Sequence, residues 1–379
     1  MEHDFTKRRH FPGTSGTPFD SFLHAITAIE RIPIVVFPLL LLVLSLVPYP
    51  LNWQLILIHW LFYLGDWILV ASLPRFSRSF GKPKPPVLIL ALLRTIINLL
   101  PPFISIPLQF VGTLLVIYSF WIEPHRIGLT HQTLISPKIE PGQKIKVLHL
   151  GDLHVERITD RERQLNRYVK EIEPDIILFS GDFINLSYLK DAQAQRDARR
   201  IMQEWTAPYG AFAVSGSPAV DLPEILPDLL ADLPLQLLND KIRTINIHGQ
   251  EIELIGLSCS HKPFVDGQHL ETLAGKHSPK LRILLYHSPD LAPQTARLGI
   301  ELQLSGHTHG GQVRLPFFGA LFSGSLYGKR YEMGRYQLEN TTLYVSRGIG
   351  LEGAGAPRVR FLCPPEIILW EIVGENKPA

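Results

Sequence analysis

The sequence predicts an α/β domain carried behind an α-helical membrane region. Three observations lead there. Apolar runs in the last two-thirds of the chain each stop at an Asp or a His, a stretch of helical periodicity separates the first two runs, and the first third holds four closely spaced apolar segments.

The run KIKVLHLGDLHV ends in Asp152 and His154, and FSGDF closes a second run with Asp182. Between them, DRERQLNRYVKEIEPD puts Leu165, Tyr168, Val169 and Ile172 on one side and charges on the other, the spacing of an amphipathic helix. The order is strand, helix, strand. RILLYHSPD gives another run ending in His287, and ELQLSGHTH a fourth ending in His307 and His309. Strand ends of open α/β sheets gather at one rim, where binding sites form. His307 and His309, two apart on an extended segment, point to the same side, and Gly306, Gly310 and Gly311 let the backbone bend there. Taken alone the histidine pair also reads as an exposed polar turn, and a single Asp or His after a strand as a cap or turn former. Six at four strand ends point instead to a metal site, because a mixture of carboxylate and imidazole suits manganese, iron or zinc.

The ordered blocks DLH, GDF, YHSPD and GHTHGGQ resemble those of the calcineurin-like metallophosphoesterases, over residues 145 to 372. The stretches GGQVRLPFFGALFSGSLYGKRYEMGRY, LYVSRGIG and RVRFLCPPEI are similar to the C-terminal signature of that family's membrane-anchored bacterial branch, whose members include hydrolases of UDP-2,3-diacylglucosamine. The resemblance implies a calcineurin-like metallophosphoesterase sandwich of two mixed β-sheets flanked by helices. It also implies two divalent metal ions, manganese with iron or zinc as alternatives. Asp152, His154 and His309 would hold one, His287 and His307 the other, and Asp182 would bridge them. Such a pair can generate hydroxide at neutral pH and stabilise charge on phosphoryl oxygens. Asp182 and His307 are thus the metal-site residues assigned to catalysis, with a phosphodiester or pyrophosphate bond as target.

One block departs from the family. Where the family has glycine, asparagine, histidine and an acid, this chain reads GAFAVSGSPAVD, which puts Ser217 at the asparagine and Pro218 at the histidine. In the family the asparagine ligates the second metal and the histidine contacts the phosphate or protonates the leaving group. Serine is a weak neutral ligand, and proline offers neither a donor nor a titratable group. No general acid is identified. General-acid help contributes about 10²- to 10⁴-fold, most where the leaving group is poor, so its loss favours a pyrophosphate bond over an alkyl phosphate. Asp221 is either a substitute ligand or a surface cap for the helix that follows. A non-catalytic, phosphoryl-ligand-binding or sensory membrane protein with a degenerate site is the rival reading.

The segments PIVVFPLLLLVLSLVPYP, LILIHWLFYLGDWILVASL, PVLILALLRTIINLLPPF and ISIPLQFVGTLLVIYSFWI approach the roughly 20 apolar residues that span hydrocarbon. The third is short and interrupted by Arg94, so a re-entrant segment and three spans remain open. The expected organisation is a cytoplasmic tail over 1–31, a transmembrane region of about four helices over 32–122, a linker over 123–144 and the metallophosphoesterase domain over 145–373. Lys7, Arg8, Arg9 and Arg31 precede the first span, and Arg75, Arg78, Lys82 and Lys84 lie between the second and third, whereas the other two turns carry no charge. By the positive-inside rule this puts both termini and the catalytic domain on the cytoplasmic side of a bacterial plasma membrane. Asp66 and Arg94 are intramembrane ionisable groups that either pair or handle substrate.

Of 379 residues, 46% are hydrophobic and 19% charged. Roughly 235 residues lie behind the membrane region, enough for one sizeable core. The net charge of +2 gives no basic footprint for nucleic acid. Cys259 and Cys363 do not make a disulfide framework and read as buried small hydrophobes. TINIHGQEIELIGLS reads as a hairpin turning at His248 and Gly249, and Arg347 as a phosphate contact or a structural ion pair. The expected partners are membrane lipid and a phosphorylated substrate, amphiphilic or nucleotide-linked.

Overall fold

A computed structural model of the protein describes residues 26–375 apart from Thr27 and Lys276. Most of the tail expected over 1–31, with Lys7, Arg8 and Arg9, lies outside the described residues.

Four helices cover most of residues 36–117: α1 (Val36–Leu46), α2 (Trp53–Ser72), α3 (Lys84–Ile97) and α4 (Pro102–Ile117). With their terminal turns, Trp53–Phe76 and Pro102–His125 are 24 residues each and apolar enough to cross a membrane. The shorter two have 11 and 14 residues. The bundle is apolar outside, and inside it a polar cluster lies beside an apolar core of Phe37, Leu41, Val87 and Ala91. Leu39, Val43, Ile68, Ile96, Phe103 and Leu114 are exposed, while Asp66, Arg94, Asn98 and Gln109 are buried. Asp66 and Arg94 pair with each other: Arg94 Nε donates to Asp66 Oδ2 at 2.6 Å and Nη2 to Oδ1 at 2.7 Å. Arg94 Nη1 donates to the backbone and side-chain oxygens of Gln109 at 2.8 and 2.6 Å. Gln109 Nε2 continues to Asn98 Oδ1 at 2.7 Å, and Asn98 Nδ2 to the Tyr63 hydroxyl at 3.0 Å. The chain ties α2, α3 and α4 through groups that apolar surroundings would otherwise leave unsatisfied.

The two ends of the bundle differ. Tyr49 Oη donates to the Leu100 carbonyl at 2.7 Å, joining the two uncharged turns. At the opposite end the loop 77–83 meets the second part of the chain. Ser79 Oγ and Phe80 N donate to Glu156 Oε2 at 3.3 and 3.1 Å, and Tyr188 Oη donates to the Phe80 carbonyl at 2.6 Å. Glu123, just beyond α4, accepts the backbone N–H groups of Leu362, at 3.0 Å, and Cys363.

That second part is built on two six-stranded sheets. The first contains β1 (Gly128–Ser136), β2 (Lys144–Leu150), β3 (Ile176–Phe179), β4 (Ala211–Ala213), β5 (Leu235–Leu237) and the final strand β14 (Glu366–Gly374), in the order β1-β14-β2-β3-β4-β5. The second contains β6 (Lys241–Ile247), β7 (Gln250–Gly256), β8 (Leu281–Leu285), β9 (Leu302–Ser305), β12 (Gly334–Leu338) and β13 (Thr341–Val345), in the order β12-β13-β9-β8-β7-β6. A short ribbon, β10 (Arg314–Leu315) with β11 (Gly319–Ala320), stands apart. Strands β2 to β5 run parallel, as do β7, β8, β9 and β13.

Alternation along the strands builds the layers. Ile145 and Val147 of β2 face Ile283 and Leu285 of β8 in a core between the sheets. Leu148 and Leu150 face the other way, onto Leu165 and Val169 of α5 (Asp160–Ile172) and Ala194, Ala198 and Ile201 of α6 (Ala192–Met202). Leu284 and Tyr286 pack against Leu270 of α8 (Pro263–Ala274), which follows the short α7 (Leu226–Leu230) and precedes α9 (Ala292–Arg297). The expected two-sheet α/β sandwich is thus observed. The amphipathic stretch forms α5, opened by a Thr159/Glu162 capping box. β6 and β7 form the expected hairpin, with His248 and Gly249 at positive φ.

The segment 123–144 is not simply a linker. Its residues Gly128–Ser136 pair in parallel with β14 from Gly128↔Glu366 to Ser136↔Gly374. As an edge strand, GLTHQTLIS leaves His131, Thr133 and Ile135 in solvent, and its mixed composition reads as a connector.

Asp66→Ala leaves Arg94 buried without its counter-charge and lowers the stability of the bundle by about 3–5 kcal/mol. Thermal unfolding in detergent reads the loss, and Asp66→Leu with Arg94→Leu recovers most of it.

Candidate metal centre

Parallel strands deliver the candidate side chains to one rim. Asp152 and His154 follow β2, Asp182 follows β3, His287 follows β8, and His307 and His309 follow β9. Five are buried and His307 is half-buried. All but His287 have left-handed backbone: φ is 51° at Asp152, 42° at His154, 64° at Asp182, 71° at His307 and 51° at His309. Each such residue costs on the order of 1–3 kcal/mol and persists only where its surroundings fix it. Here close packing does the fixing. A Cβ at Gly216 would stand 2.1 Å from Asp182 Oδ1, and one at Gly306 2.3 Å from Asp152 Oδ2.

Two groups of donors result. Asp152, His154 and His309 offer ligand atoms within 4.8 Å of one another, and so do Asp152, Asp182 and His287. His154 Nε2 and His309 Nε2 are 3.0 Å apart. Asp182 Oδ2 lies 3.4 Å from His154 Nε2 and 3.3 Å from His287 Nε2, between the groups. His307 adjoins the second, its ring centroid 5.1 Å from that of His287. Atoms held about 2.0–2.2 Å from one ion stand roughly 3–4 Å apart, so the spacing fits divalent metal. Two further features agree. Asp152 Oδ2 is buried without a hydrogen-bond partner, and His287 Nδ1 donates to the Ser180 carbonyl at 2.8 Å, which turns Nε2 toward Asp182 in the tautomer a metal takes.

Electrostatics divides the carboxylates. Burial pushes Asp152 up, to about 6, against the pull of His287. Burial acts on Asp182 too, but the neighbouring charges of His287 and His154 outweigh it and hold that group well below the usual carboxylate range. His287 is lowered by burial yet carried up to about 9 by Asp182. Burial keeps His307 and His309 well below the ordinary imidazole range, hence neutral donors.

In the departing block, Ser217 Oγ lies 3.1 Å from His287 Nε2 and donates to Asp182 Oδ2 at 3.3 Å. Pro218 is exposed. Asp221 is neither a surface cap nor a substitute ligand. It is buried, and its carboxylate accepts the backbone N–H groups of Asp182 at 2.7 Å, Phe183 at 3.0 Å and Gly216 at 2.6 Å. These bonds fold the Asp182 turn against Gly216 and occupy both oxygens. Arg347 forms an ion pair with Glu366, the structural alternative. Cys259 and Cys363 are both buried.

His261 was missed by the sequence reading. It follows β7, the neighbour of β8, and its ring centroid lies 4.5 Å from that of His307 and 6.2 Å from that of His287. Burial lowers its pKa to about 3. The signal was available: ELIGLSCSH is another apolar run followed by a histidine.

Carboxylates and imidazoles gathered on the common rim of two facing sheets define a metal-binding α/β protein. Residues 145–311 match the family model described as calcineurin-like phosphoesterase. The chain is 30% identical over 267 residues to the uncharacterized metallophosphoesterase YkuE of Bacillus subtilis (strain 168), an alignment covering 68% of this chain and 90% of that one. It is 26% identical to phosphodiesterase YaeI of Escherichia coli (strain K12), over 68% of this chain and 92% of that one. With the UDP-2,3-diacylglucosamine pyrophosphatase LpxG of Chlamydia trachomatis it shares 23% identity, over 68% of this chain and 93% of that one. The protein belongs to the calcineurin-like phosphoesterase family.

Asp221→Ala strips three buried N–H groups of their acceptor, at about 1–3 kcal/mol for each group left unsatisfied. Calorimetry should show a lowered Tm, and plasma mass spectrometry a reduced metal content in the same sample.

Proposed function

We propose that the protein is a membrane-anchored phosphoesterase with two divalent metal ions, hydrolysing a phosphodiester or pyrophosphate bond in an amphiphilic substrate. The observation that carries this is Asp182 Oδ2, nearly equidistant from His154 Nε2 and His287 Nε2, the position of a bridging ligand. Asp152, His154 and His309 hold the first ion, and His287 and His307 the second. Bound there, the pair supplies the charge that activates water and offsets charge developing on phosphoryl oxygens. The chain fixes the donors by backbone: His307 N donates to Asp152 Oδ1 at 2.9 Å and Ser217 N to Asp182 Oδ1 at 2.7 Å. Pro218 offers no proton to a leaving group, which favours a pyrophosphate bond, as in the substrate named for LpxG.

The bundle supports a membrane setting. Its exterior is apolar, and Arg75, Arg78, Lys82 and Lys84 belong to the end that meets the catalytic domain, whereas the turns joined by Tyr49 and Leu100 carry no charge. α2 and α4 both run from the uncharged end to the charged one, which by the positive-inside rule supports a catalytic domain on the cytoplasmic face of the plasma membrane.

An apolar hairpin supports amphiphilicity. Leu315, Phe317, Phe318, Leu321 and Phe322 are exposed around β10 and β11. The base of the hairpin is tied to the bundle side, because Arg314 N donates to the Phe361 carbonyl at 2.9 Å and Val313 packs against the bundle core. It returns to the metal centre at Gly324, where a Cβ would stand 3.1 Å from His307 Nε2. Acyl chains at a bilayer surface would cover this tip.

Manganese-loaded protein in detergent should hydrolyse bis-p-nitrophenyl phosphate or UDP-2,3-diacylglucosamine, and Asp182→Ala should bring turnover to background. Binding of phosphoryl ligands by the wild type with no turnover would favour a sensory protein instead. Phe317→Asp with Phe318→Asp should raise KM for a vesicle-borne substrate about 10-fold or more and leave the soluble diester unaffected; equal KM values would remove the lipid role of the hairpin.

A further inference from the structure

We infer that His261 is a ligand of the second metal ion, supplying the donor that the serine at position 217 does not. The inference rests on the two-metal reading above and extends it to a residue outside the GHTHGGQ and YHSPD blocks. The second ion is otherwise poorly served. It has His287, His307 and a share of Asp182, together with the Ser217 hydroxyl, which is a weak neutral donor.

Strand order brings His261 to this place. β7 pairs in parallel with β8, so the segment after β7 crosses the same rim one strand along from His287. The ring centroids of His261, His287 and His307 form a triangle with sides of 4.5, 5.1 and 6.2 Å. Three imidazoles on one ion, each at about 2.0–2.1 Å, put their centroids roughly 4.5–5.5 Å apart. Two sides already lie in that range, and a movement of about 1 Å closes the third. His261 is only 9% exposed. Its φ of 56° is the same left-handed backbone found at five of the six residues of the centre.

A second layer orients the ring. His261 Nδ1 lies 3.6 Å from Cys259 Sγ, which lies 3.6 Å from Tyr286 Oη, which donates to Asp266 Oδ2 at 2.7 Å. Outer partners of this kind fix the tautomer and direction of a ligating imidazole. With Nδ1 on the thiol, Nε2 is the nitrogen for the ion. Asp266 and Tyr286 are themselves buried, on α8 and just after β8, so the support is part of the core.

The test is metal content of full-length protein in detergent, loaded with manganese, read by plasma mass spectrometry and by the electron paramagnetic resonance of Mn(II). Wild type should hold about two ions per chain with the spectrum of a coupled pair, and His261→Ala about one with an uncoupled six-line spectrum. His261→Ala combined with Ser217→Asn, which restores an amide oxygen at the rim, should return to about two ions. His261→Asn should keep the second ion at roughly 10- to 100-fold lower affinity, and serves where the alanine variant fails to fold by circular dichroism. Two tightly held ions in His261→Ala, or wild-type affinity in His261→Asn, overturns the inference and leaves the two-metal reading intact. A wild type that binds fewer than two ions overturns both. Loss of turnover with both ions retained would also reject the ligand assignment and make His261 a proton donor.

Discussion

Two carboxylates buried side by side, Asp152 and Asp182, are the constraint around which the catalytic domain is arranged. Two like charges out of water are unfavourable unless positive or hydrogen-bonding groups surround them. The chain meets that demand from both sheets at once. β2 and β3 bring the carboxylates and His154, β8 and β9 bring the other imidazoles, and the turns add backbone donors from His307 and Ser217. The glycines at 216 and 306 follow from the same demand, because no side chain fits where the carboxylates approach the opposite backbone. The left-handed residues follow as well. Turning five side chains inward within a few residues of a strand end requires backbone that ordinary turns avoid.

The sequence made the six rim residues legible for a simple reason. Each stands within four residues of the end of a largely apolar strand, and buried parallel strands announce themselves by composition. His261 has the same signature but sits five residues past the end of β7, inside a polar SCSH stretch that looked like ordinary loop. Asp221 was misread because sequence cannot tell an exposed carboxylate that caps a helix from a buried one that accepts three backbone donors; both follow a turn. β1 was hidden by its position. An edge strand shares its hydrogen bonds with one neighbour and mixes polar and apolar residues, so only its pairing with β14, more than 200 residues away, reveals it. In the N-terminal bundle the four apolar segments correspond to four helices, but α1 and α3 are shorter than their segments, since the prolines and terminal turns take up part of each apolar run.

The polar cluster inside the bundle and the metal centre solve the same problem. In each, charged groups are withdrawn from solvent and matched among themselves: Arg94 with Asp66 and Gln109 between the helices, carboxylates with imidazoles at the rim. Neither set tolerates removal of a single member as well as removal of a matched pair. This shared logic explains why ionisable residues inside an apolar segment, such as Asp66 and Arg94, need carry no role in turnover.

The Glu123 carboxylate, clasping the backbone of Leu362 and Cys363, joins the end of the helical bundle to the segment beside the metal rim. With Glu156 held by Ser79 and Phe80 on a second helix connection, the helical bundle is bolted to the α/β domain at two points and is not a swinging tether. On the proposed function, a lipid-borne substrate would therefore arrive by lateral diffusion at a mouth of fixed height and orientation. The kinetics of such an enzyme follow surface dilution: rate tracks the mole fraction of substrate in the bilayer, and adding inert lipid slows it even when the bulk concentration of substrate is unchanged.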